Sequence, residues 1–399
     1  MKVKIEAGKG RGKVLLPPSK SIFHRALFCA ALSEGESTIY GRLSSDDLDA
    51  TCRALAALGG EVLVRQDCVT VASANPFQRP AAALDCASSG TTLRLAIPLL
   101  LLSGEPVTLS MSEQLAARPL SVYEKPFSKK GIVWKQTKNE LFLSGRLASG
   151  EYVLPGDVSS QFVSGLLLAL PLLDGDSRIV LTSPLESAPY VEMTRQVQKA
   201  FSVETEKTPD GFLLRGGQSY KPTEFIVEGD ATIAAVYKTL NGFSGNEIIL
   251  PNAPISTLQG DARFSELAKK VINYEAVDLA DTPDLAPQLF ALAAFYGAGH
   301  FTGTRRLAYK ESDRARSMKK ELSAFGVNVE ILDNEVYLKG TLQQPSCTLS
   351  CHNDHRIAMA LATLCTLTGG TLDGAECVAK SYPEFWMDLR SLGFRVEME

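Results

Sequence analysis

Residues 18–39 read Pro18-Ser-Lys-Ser-Ile-Phe-His-Arg-Ala-Leu-Phe-Cys-Ala-Ala-Leu-Ser-Glu-Gly-Glu-Ser-Thr-Ile39: a polar opening, an apolar helix, a glycine and a β-prone run. The same unit recurs six times, with helices at 19–32, 88–102, 159–173, 230–242, 283–296 and 354–368. After each comes a glycine within a few residues, then a strand rich in Thr, Ile or Val, at 36–39, 107–109, 178–181, 247–250, 300–302 and 370–372. The match is loose residue by residue, but the recurrence decides the fold class.

A second helix follows in the repeats, now with a 3.6-residue apolar period: 46–58 before Gly59-Gly-Glu-Val62, 313–325 before Gly326-Val-Asn-Val329, and 383–392 before Gly393-Phe-Arg-Val396. A helix apolar on nearly every face belongs inside, and one with a single apolar face belongs at the surface. Each repeat therefore reads as a βαβαββ-like unit with an inner and an outer helix, and the chain as an α/β protein.

The 399 residues are enough for two domains with their own cores. A net charge of −4 disfavours general attraction to nucleic acid, so any cationic site is local. Charges in Met1-Lys-Val-Lys-Ile-Glu6 stand where a signal peptide needs an apolar run, and the apolar stretch 95–103 falls well short of the roughly 20 residues of a membrane span. No membrane association and a cytoplasmic location are expected. The eight cysteines are scattered, and Cys29 and Cys365 sit inside apolar helices, so they read as small apolar fillers rather than a disulfide framework. Cys347, Cys351, His352 and His355 cluster, but without the spacing of a zinc site; no metal is expected.

The unusual residues gather where the helices begin. Lys20, Ser21 and Arg25, the Ser159-Ser160-Gln161 run, Asp284 and His355-Arg356 all fall at the starts of inner helices. Helix N-termini offer free N–H groups and a positive dipole end, which suits phosphates and carboxylates. Two serines before Gln161 exceed what one cap needs, and Ser88-Ser-Gly90-Thr-Thr-Leu-Arg94 resembles a small anion nest. Ser187-Ala-Pro-Tyr190 adds a hydroxyl and an aromatic; Arg118-Pro119 and Lys380-Ser-Tyr-Pro383 each place a cation before a proline-started helix. Lys310-Glu311-Ser312-Asp313-Arg314 reads either as an ordinary Ser-capped surface helix or as a proton-moving Lys-Glu pair with an arginine to clamp a carboxylate. For His355-Arg356 the plain alternative is a structural ion pair. Lys20, Arg25, Arg94, Arg118, Arg314, Arg356 and Lys380 together suit substrates carrying several negative charges, with Glu311 and Asp284 as the acid and base.

At these residues the chain resembles the 5-enolpyruvylshikimate-3-phosphate synthase family, the 3-phosphoshikimate 1-carboxyvinyltransferases. The resemblance runs over essentially the whole chain and rests on the combination PSKS, SGTT-x-R, RP, GD-x-SSQ, SAPY, D-x-PD, KESDR, DHR-x-AM and KS-Y-P. It implies a two-domain inside-out α/β barrel of six repeats, three per domain. The C-terminal domain would comprise 1–18 plus 228–399 and the N-terminal domain 19–227, with the active site in the cleft between them. It also implies transfer of the enolpyruvyl group of phosphoenolpyruvate to the 5-hydroxyl of shikimate 3-phosphate, in the pathway to chorismate and aromatic amino acids. No cofactor is implied, and a monomer is expected.

By the same resemblance, shikimate 3-phosphate falls to Lys20, Ser21, Arg25, Ser159, Ser160, Gln161, Ser187, Tyr190, Asp284 and Lys310. Phosphoenolpyruvate falls to Lys20, Gly90, Arg118, Gln161, Arg314, Arg356 and Lys380. Asp284 would take the proton of the attacking hydroxyl; Glu311, helped by Lys20 or Lys310, would protonate the methylene carbon.

The chain departs from the family pattern at Ala87-Ser88, Leu95, Ala308 and Gly229-Asp-Ala-Thr-Ile233. Gly90 leaves the space that glyphosate needs, so inhibition at raised concentration is expected. Two other readings stay in view. One is the related UDP-N-acetylglucosamine enolpyruvyl transferase, but Glu113 stands where that family typically has a reactive cysteine. The other is a non-catalytic anion-binding relic, which would predict loss of Glu311 or Asp284.

Overall fold

The computed structural model describes residues 1–41, 45–73, 83–243, 245–254 and 257–399. They form two compact units, Met1–Pro17 with Glu228–Glu399, and Pro18–Val227. Each has a hydrophobic core of its own.

In the Pro18–Val227 unit the core is built on the helices Lys20–Leu32, Gly90–Leu100 and Ser160–Ala169, buried along almost their whole lengths. Ala231–Gly242, Ala286–Tyr296 and His355–Thr368 do the same in the other unit. The physical reason is composition: these segments have no polar face to give to water. The second helices behave otherwise. Asp46–Ala57 buries only one stripe, starts on a Ser45 cap and carries Asp46, Asp47 and Asp49 in its first turn, where the helix dipole favours acids.

Among the described residues, five four-stranded sheets share one pattern of pairing, a parallel pair followed by two antiparallel ones. In the plainest case Gly150–Leu154 pairs parallel with Ser177–Leu181, which pairs antiparallel with Gly211–Leu214, which pairs antiparallel with Glu206–Thr208. The parallel pair is bridged by the buried Ser160–Ala169 helix, since parallel neighbours need a crossover rather than a tight turn. Two of these sheets borrow a strand from a distant part of the chain. Glu224–Ile226 pairs with Gly35–Tyr40, and Lys2–Ile5 lies between Gly370–Asp373 and Val396–Met398.

The fourth repeat departs from the sequence pattern. Among the described residues its strand Glu247–Ile249 pairs only with Arg11–Lys13, in a two-stranded sheet, and no hairpin follows its second helix, Phe264–Ile272. Only residues 273–275 separate that helix from Ala276–Asp278, which already belongs to the next sheet. So short a connection leaves no chain for two more strands.

One packing detail places Arg94. Pro98 lies inside the Gly90–Leu100 helix and, lacking an N–H, leaves the Arg94 carbonyl without its helical donor. The buried Tyr123 hydroxyl lies 3.1 Å from that carbonyl and 2.8 Å from the Phe162 carbonyl, its single proton shared between the two. Gly165 makes this approach possible, because a Cβ there would lie 2.7 Å from the Arg94 carbonyl oxygen and against the Tyr123 hydroxyl.

Candidate functional site

In the Pro18–Val227 unit, cations and hydroxyls collect at the starts of the three core helices. Lys20 opens the first and pairs with Asp47 of the neighbouring helix at 2.7 Å, both largely buried. Arg25, one turn on, is 2% exposed. Its Nε donates to Thr194 Oγ1 at 2.7 Å, Nη1 to the Ser21 carbonyl at 2.6 Å and Nη2 to the Tyr190 carbonyl at 3.1 Å. Burial pushes its pKa down to about 10. Thus Arg25, expected as a substrate contact, joins the helices Lys20–Leu32 and Ala188–Ala200. His24 is driven well below its ordinary value by burial, with Lys20 and Arg25 adding to the effect, so it is neutral.

At the second core helix a Cβ on Gly90 would stand 2.9 Å from Arg118 Nη1 and 3.0 Å from Arg94 Nη1. Two guanidinium groups therefore converge on this glycine, and any side chain there would push them apart. Arg94 Nη1 donates to Gln161 Oε1 at 2.8 Å, and Gln161 Nε2 donates to Thr91 Oγ1 at 2.8 Å. This chain brings Gly90, Arg94, Arg118 and Gln161 together. The proline-started helix expected after Arg118 begins later, at Ser121.

At the third core helix the capping is Ser159's alone, its Oγ accepting from the Gln161 N–H at 3.3 Å, while Ser160 is the first helical residue. Ser187, buried and left-handed at φ 55, precedes Ala188–Ala200. The loops carrying the two serine sites are tied together. The Gly156 N–H donates to Ser183 Oγ at 2.9 Å, Ser183 Oγ to Asp157 Oδ1 at 2.8 Å, and the Glu186 N–H to the Gly156 carbonyl at 3.1 Å.

In the other unit the centre is Arg314, 1% exposed. Nε meets Asp354 Oδ2 at 3.0 Å, Nη1 meets Asp284 Oδ1 at 2.7 Å, and Nη2 meets Glu311 Oε2 at 2.7 Å. Burial opposes its charge, but the Asp354, Glu311 and Asp284 carboxylates outweigh that and raise its pKa well above the ordinary value. Lys310 Nζ is 3.0 Å from the same Asp284 oxygen. Burial would raise the Asp284 carboxyl; Lys310, Arg314 and Arg356 overcome it and hold the group well below the usual carboxylate range. Lys310 is itself lowered, chiefly by burial, with Asp284 opposing.

Two local expectations are corrected here. Asp313, not Ser312, caps the Arg314–Ala324 helix, and Ser312 Oγ donates instead to Asp354 Oδ2 at 3.1 Å. Lys380 ends the 3-10 turn Ala375–Lys380, with the next helix starting only at Phe385, and its Nζ donates to the Asn353 carbonyl at 2.6 Å.

Asp354, fully buried, caps the His355–Thr368 helix, and the sequence analysis assigns it no substrate or catalytic role. One of its oxygens holds Arg314 Nε and the other accepts the Arg356 N–H at 2.9 Å, so it fixes both arginines. Its capping position before His355 was the available signal. Arg356 is 6% exposed, and its Nε and Nη1 are buried with no hydrogen-bond partner among the described residues. A buried cation with unused donors seeks an anion. Among the described residues no group of three His, Cys, Asp or Glu side chains is arranged to hold a metal ion, and no helix is long and apolar enough to cross a membrane.

Fold and site define an α/β protein that gathers cations, hydroxyls and carboxylates at the starts of its helices. A family profile described as EPSP synthase (3-phosphoshikimate 1-carboxyvinyltransferase) matches residues 6–389, and the chain belongs to that family. A 3-phosphoshikimate 1-carboxyvinyltransferase of Clostridium acetobutylicum is 37% identical over 418 residues, covering 98% of this chain and 97% of the relative. Its counterpart in Clostridium kluyveri is also 37% identical, covering 99% and 98%. Among solved structures, an EPSP synthase from Acinetobacter baumannii matches with a TM-score of 0.80 at 23% identity over 100% of both chains. The enolpyruvyl transferase NikO from Streptomyces tendae matches at 0.77 and 15% identity, covering 99% of this chain and 98% of its own. At such identities these two structures speak to the fold alone.

Proposed function

We propose that this protein transfers the enolpyruvyl group of phosphoenolpyruvate to the 5-hydroxyl of shikimate 3-phosphate and releases phosphate, a step of the shikimate pathway toward chorismate and the aromatic amino acids. The observation that carries this reading is membership of the EPSP synthase family across nearly the full chain. Retention of both Asp284 and Glu311 argues against a non-catalytic relic. The UDP-N-acetylglucosamine alternative is not favoured, since Glu113 is an exposed residue paired with Lys138 at 2.6 Å rather than a reactive thiol.

In this proposal shikimate 3-phosphate takes Ser159, Ser160, Ser187, Tyr190, Ser21 and Arg25, and phosphoenolpyruvate takes Lys20, Gly90, Arg118, Arg314, Arg356 and Lys380, with Gln161 serving both. The fold is the six-repeat, two-domain inside-out barrel, supported by the pairing pattern that five sheets share. Both domains contribute to one reaction, and the protein works in the cytoplasm as a monomer.

The chemistry follows from Arg314. Its guanidinium holds Asp284 and Glu311, the proposed base and acid. A substrate carboxylate bound by Arg356 and Arg314 competes with them for the same N–H groups. Its arrival loosens their ion pairs and increases their affinity for protons, as general acid–base work requires. Glu311 then protonates the methylene carbon, the 5-hydroxyl adds to the adjacent carbon as Asp284 takes its proton, and the Glu311 carboxylate takes a proton back from the new methyl group as phosphate leaves, which regenerates the enol ether. The remaining cations hold the phosphate in register and stabilise its charge on departure.

The test is phosphate release from shikimate 3-phosphate and phosphoenolpyruvate in the presence of a chelator, with proton NMR of the product. Release together with new vinyl signals is expected. Silence with these substrates but turnover of UDP-N-acetylglucosamine would move the protein to the sister activity.

A further inference from the structure

One buried carboxylate in the Arg314 unit has no part in the chemistry above. Glu321, 3% exposed, lies two turns beyond Arg314 on the Arg314–Ala324 helix. One oxygen accepts the Ser350 N–H at 3.0 Å and the other meets His352 Nε2 at 2.7 Å. Burying a carboxylate is costly, and stability alone is often served as well by an apolar side chain of similar size. Its position therefore asks what the two bonds hold.

They hold a turn whose two central residues are both left-handed. His352 and Asn353 have φ of 51° and 52°, and the Asp354 N–H returns to the Cys351 carbonyl at 2.9 Å. Two left-handed central residues closed by such a bond describe a type I′ turn, which ordinarily takes Asn, Asp or Gly at both positions. His and Asn enter the left-handed region more readily than most residues, yet two in succession without a glycine still need outside support. Glu321 provides it from both sides of Cys351.

This turn is also where the proposed phosphoenolpyruvate ligands meet. The Asn353 carbonyl accepts from Lys380 Nζ, and the next residue, Asp354, binds Arg314 Nε and the Arg356 N–H. We propose that Glu321 and His352 are positioning residues that hold the 351–354 turn closed and so keep Lys380, Arg314 and Arg356 in register for phosphoenolpyruvate. The proposal rests on the assignment of those three cations to that substrate.

The experiment is steady-state kinetics with each substrate varied, on the unmodified protein and on Glu321→Ala, Glu321→Gln and His352→Gly, alongside melting temperatures. Glu321→Ala should raise KM for phosphoenolpyruvate about tenfold while leaving KM for shikimate 3-phosphate within about twofold. Glu321→Gln keeps an acceptor for the Ser350 N–H and a polar end for His352, and should recover to within about threefold of the unmodified value. His352→Gly accepts the left-handed conformation without strain, so it folds even if Glu321→Ala does not; loss of the imidazole anchor should raise KM for phosphoenolpyruvate about threefold.

A lowered melting temperature with an unaltered KM for phosphoenolpyruvate, an equal rise for both substrates, or a Gln variant no better than Ala would each overturn the proposal. If the unmodified protein is silent with both substrates, the substrate assignment itself falls and the proposal with it. Turnover by the unmodified protein with flat KM values across the variants removes the positioning role alone.

Discussion

At the scale of single residues, Arg314 and Arg356 are a contrasted pair. Arg314 has all three nitrogens on protein carboxylates, whereas Arg356 keeps Nε and Nη1 buried without a partner among the described residues. The roles to be separated are binding and proton transfer. Glu311→Gln preserves size and much of the hydrogen bonding but cannot exchange a proton, so turnover should fall by about 10²-fold or more with little change in phosphoenolpyruvate binding. Full activity in that variant would remove Glu311 from the mechanism. Arg356→Ala should instead raise KM for phosphoenolpyruvate more than it lowers kcat, which initial rates at varied substrate will resolve. The residues at this scale were legible in the sequence as types: a lysine, a glutamate and two arginines beside helix starts. Their pairings were not: Glu311 sits three residues before Arg314, but Asp284 and Asp354 come from distant segments that only folding brings to the same guanidinium.

At the scale of elements, the Gly90–Leu100 helix shows how a local defect is compensated from elsewhere. Pro98 frees the Arg94 carbonyl, Tyr123 answers it, and Gly165 on the adjacent core helix gives the hydroxyl room. Tyr123→Phe removes only the donor and leaves that buried carbonyl unsatisfied. It should destabilise the protein by about 1–2 kcal/mol, measurable in urea unfolding. An unchanged midpoint would show that another donor reaches the carbonyl. The apolar composition of the core helices was plain in the sequence, and so was the repeat of strand and outer helix. The exact caps were less so: Ser312 looked like the cap of the Arg314–Ala324 helix, yet Asp313 holds that place while Ser312 turns to Asp354. Adjacent residues with similar capping ability cannot be ranked from sequence when a buried acceptor nearby competes for one of them.

At the scale of the whole molecule, each compact unit is closed by chain from far away in sequence, as Lys2–Ile5 is between Gly370–Asp373 and Val396–Met398. Stability is therefore shared across each unit rather than held repeat by repeat. The same holds for its pH dependence. Asp284 is held well below the usual carboxylate range by Lys310, Arg314 and Arg356 in the folded state. A depressed folded-state pKa contributes stability that is fully present above the unfolded value of about 4 and is lost as pH falls through the folded value. Melting curves from neutral pH downward should thus show the unmodified protein losing stability below about pH 4 more steeply than Asp284→Asn, whose amide does not titrate. Parallel losses in the two proteins would mean that Asp284 gains nothing from its cations.

The amino-acid sequence by itself determined the α/β class, the burial of helices such as Lys20–Leu32 and the residue types that handle anions, because periodicity and composition act locally along the chain. It did not determine that the fourth repeat stops at two paired strands, that Arg25 places three of its N–H groups on Thr194, Ser21 and Tyr190, or that Asp354 steadies two arginines at once. Those outcomes were decided by tertiary structure. Each depends on which distant segment arrives beside a buried polar group, and a buried group takes whatever partner the packing delivers.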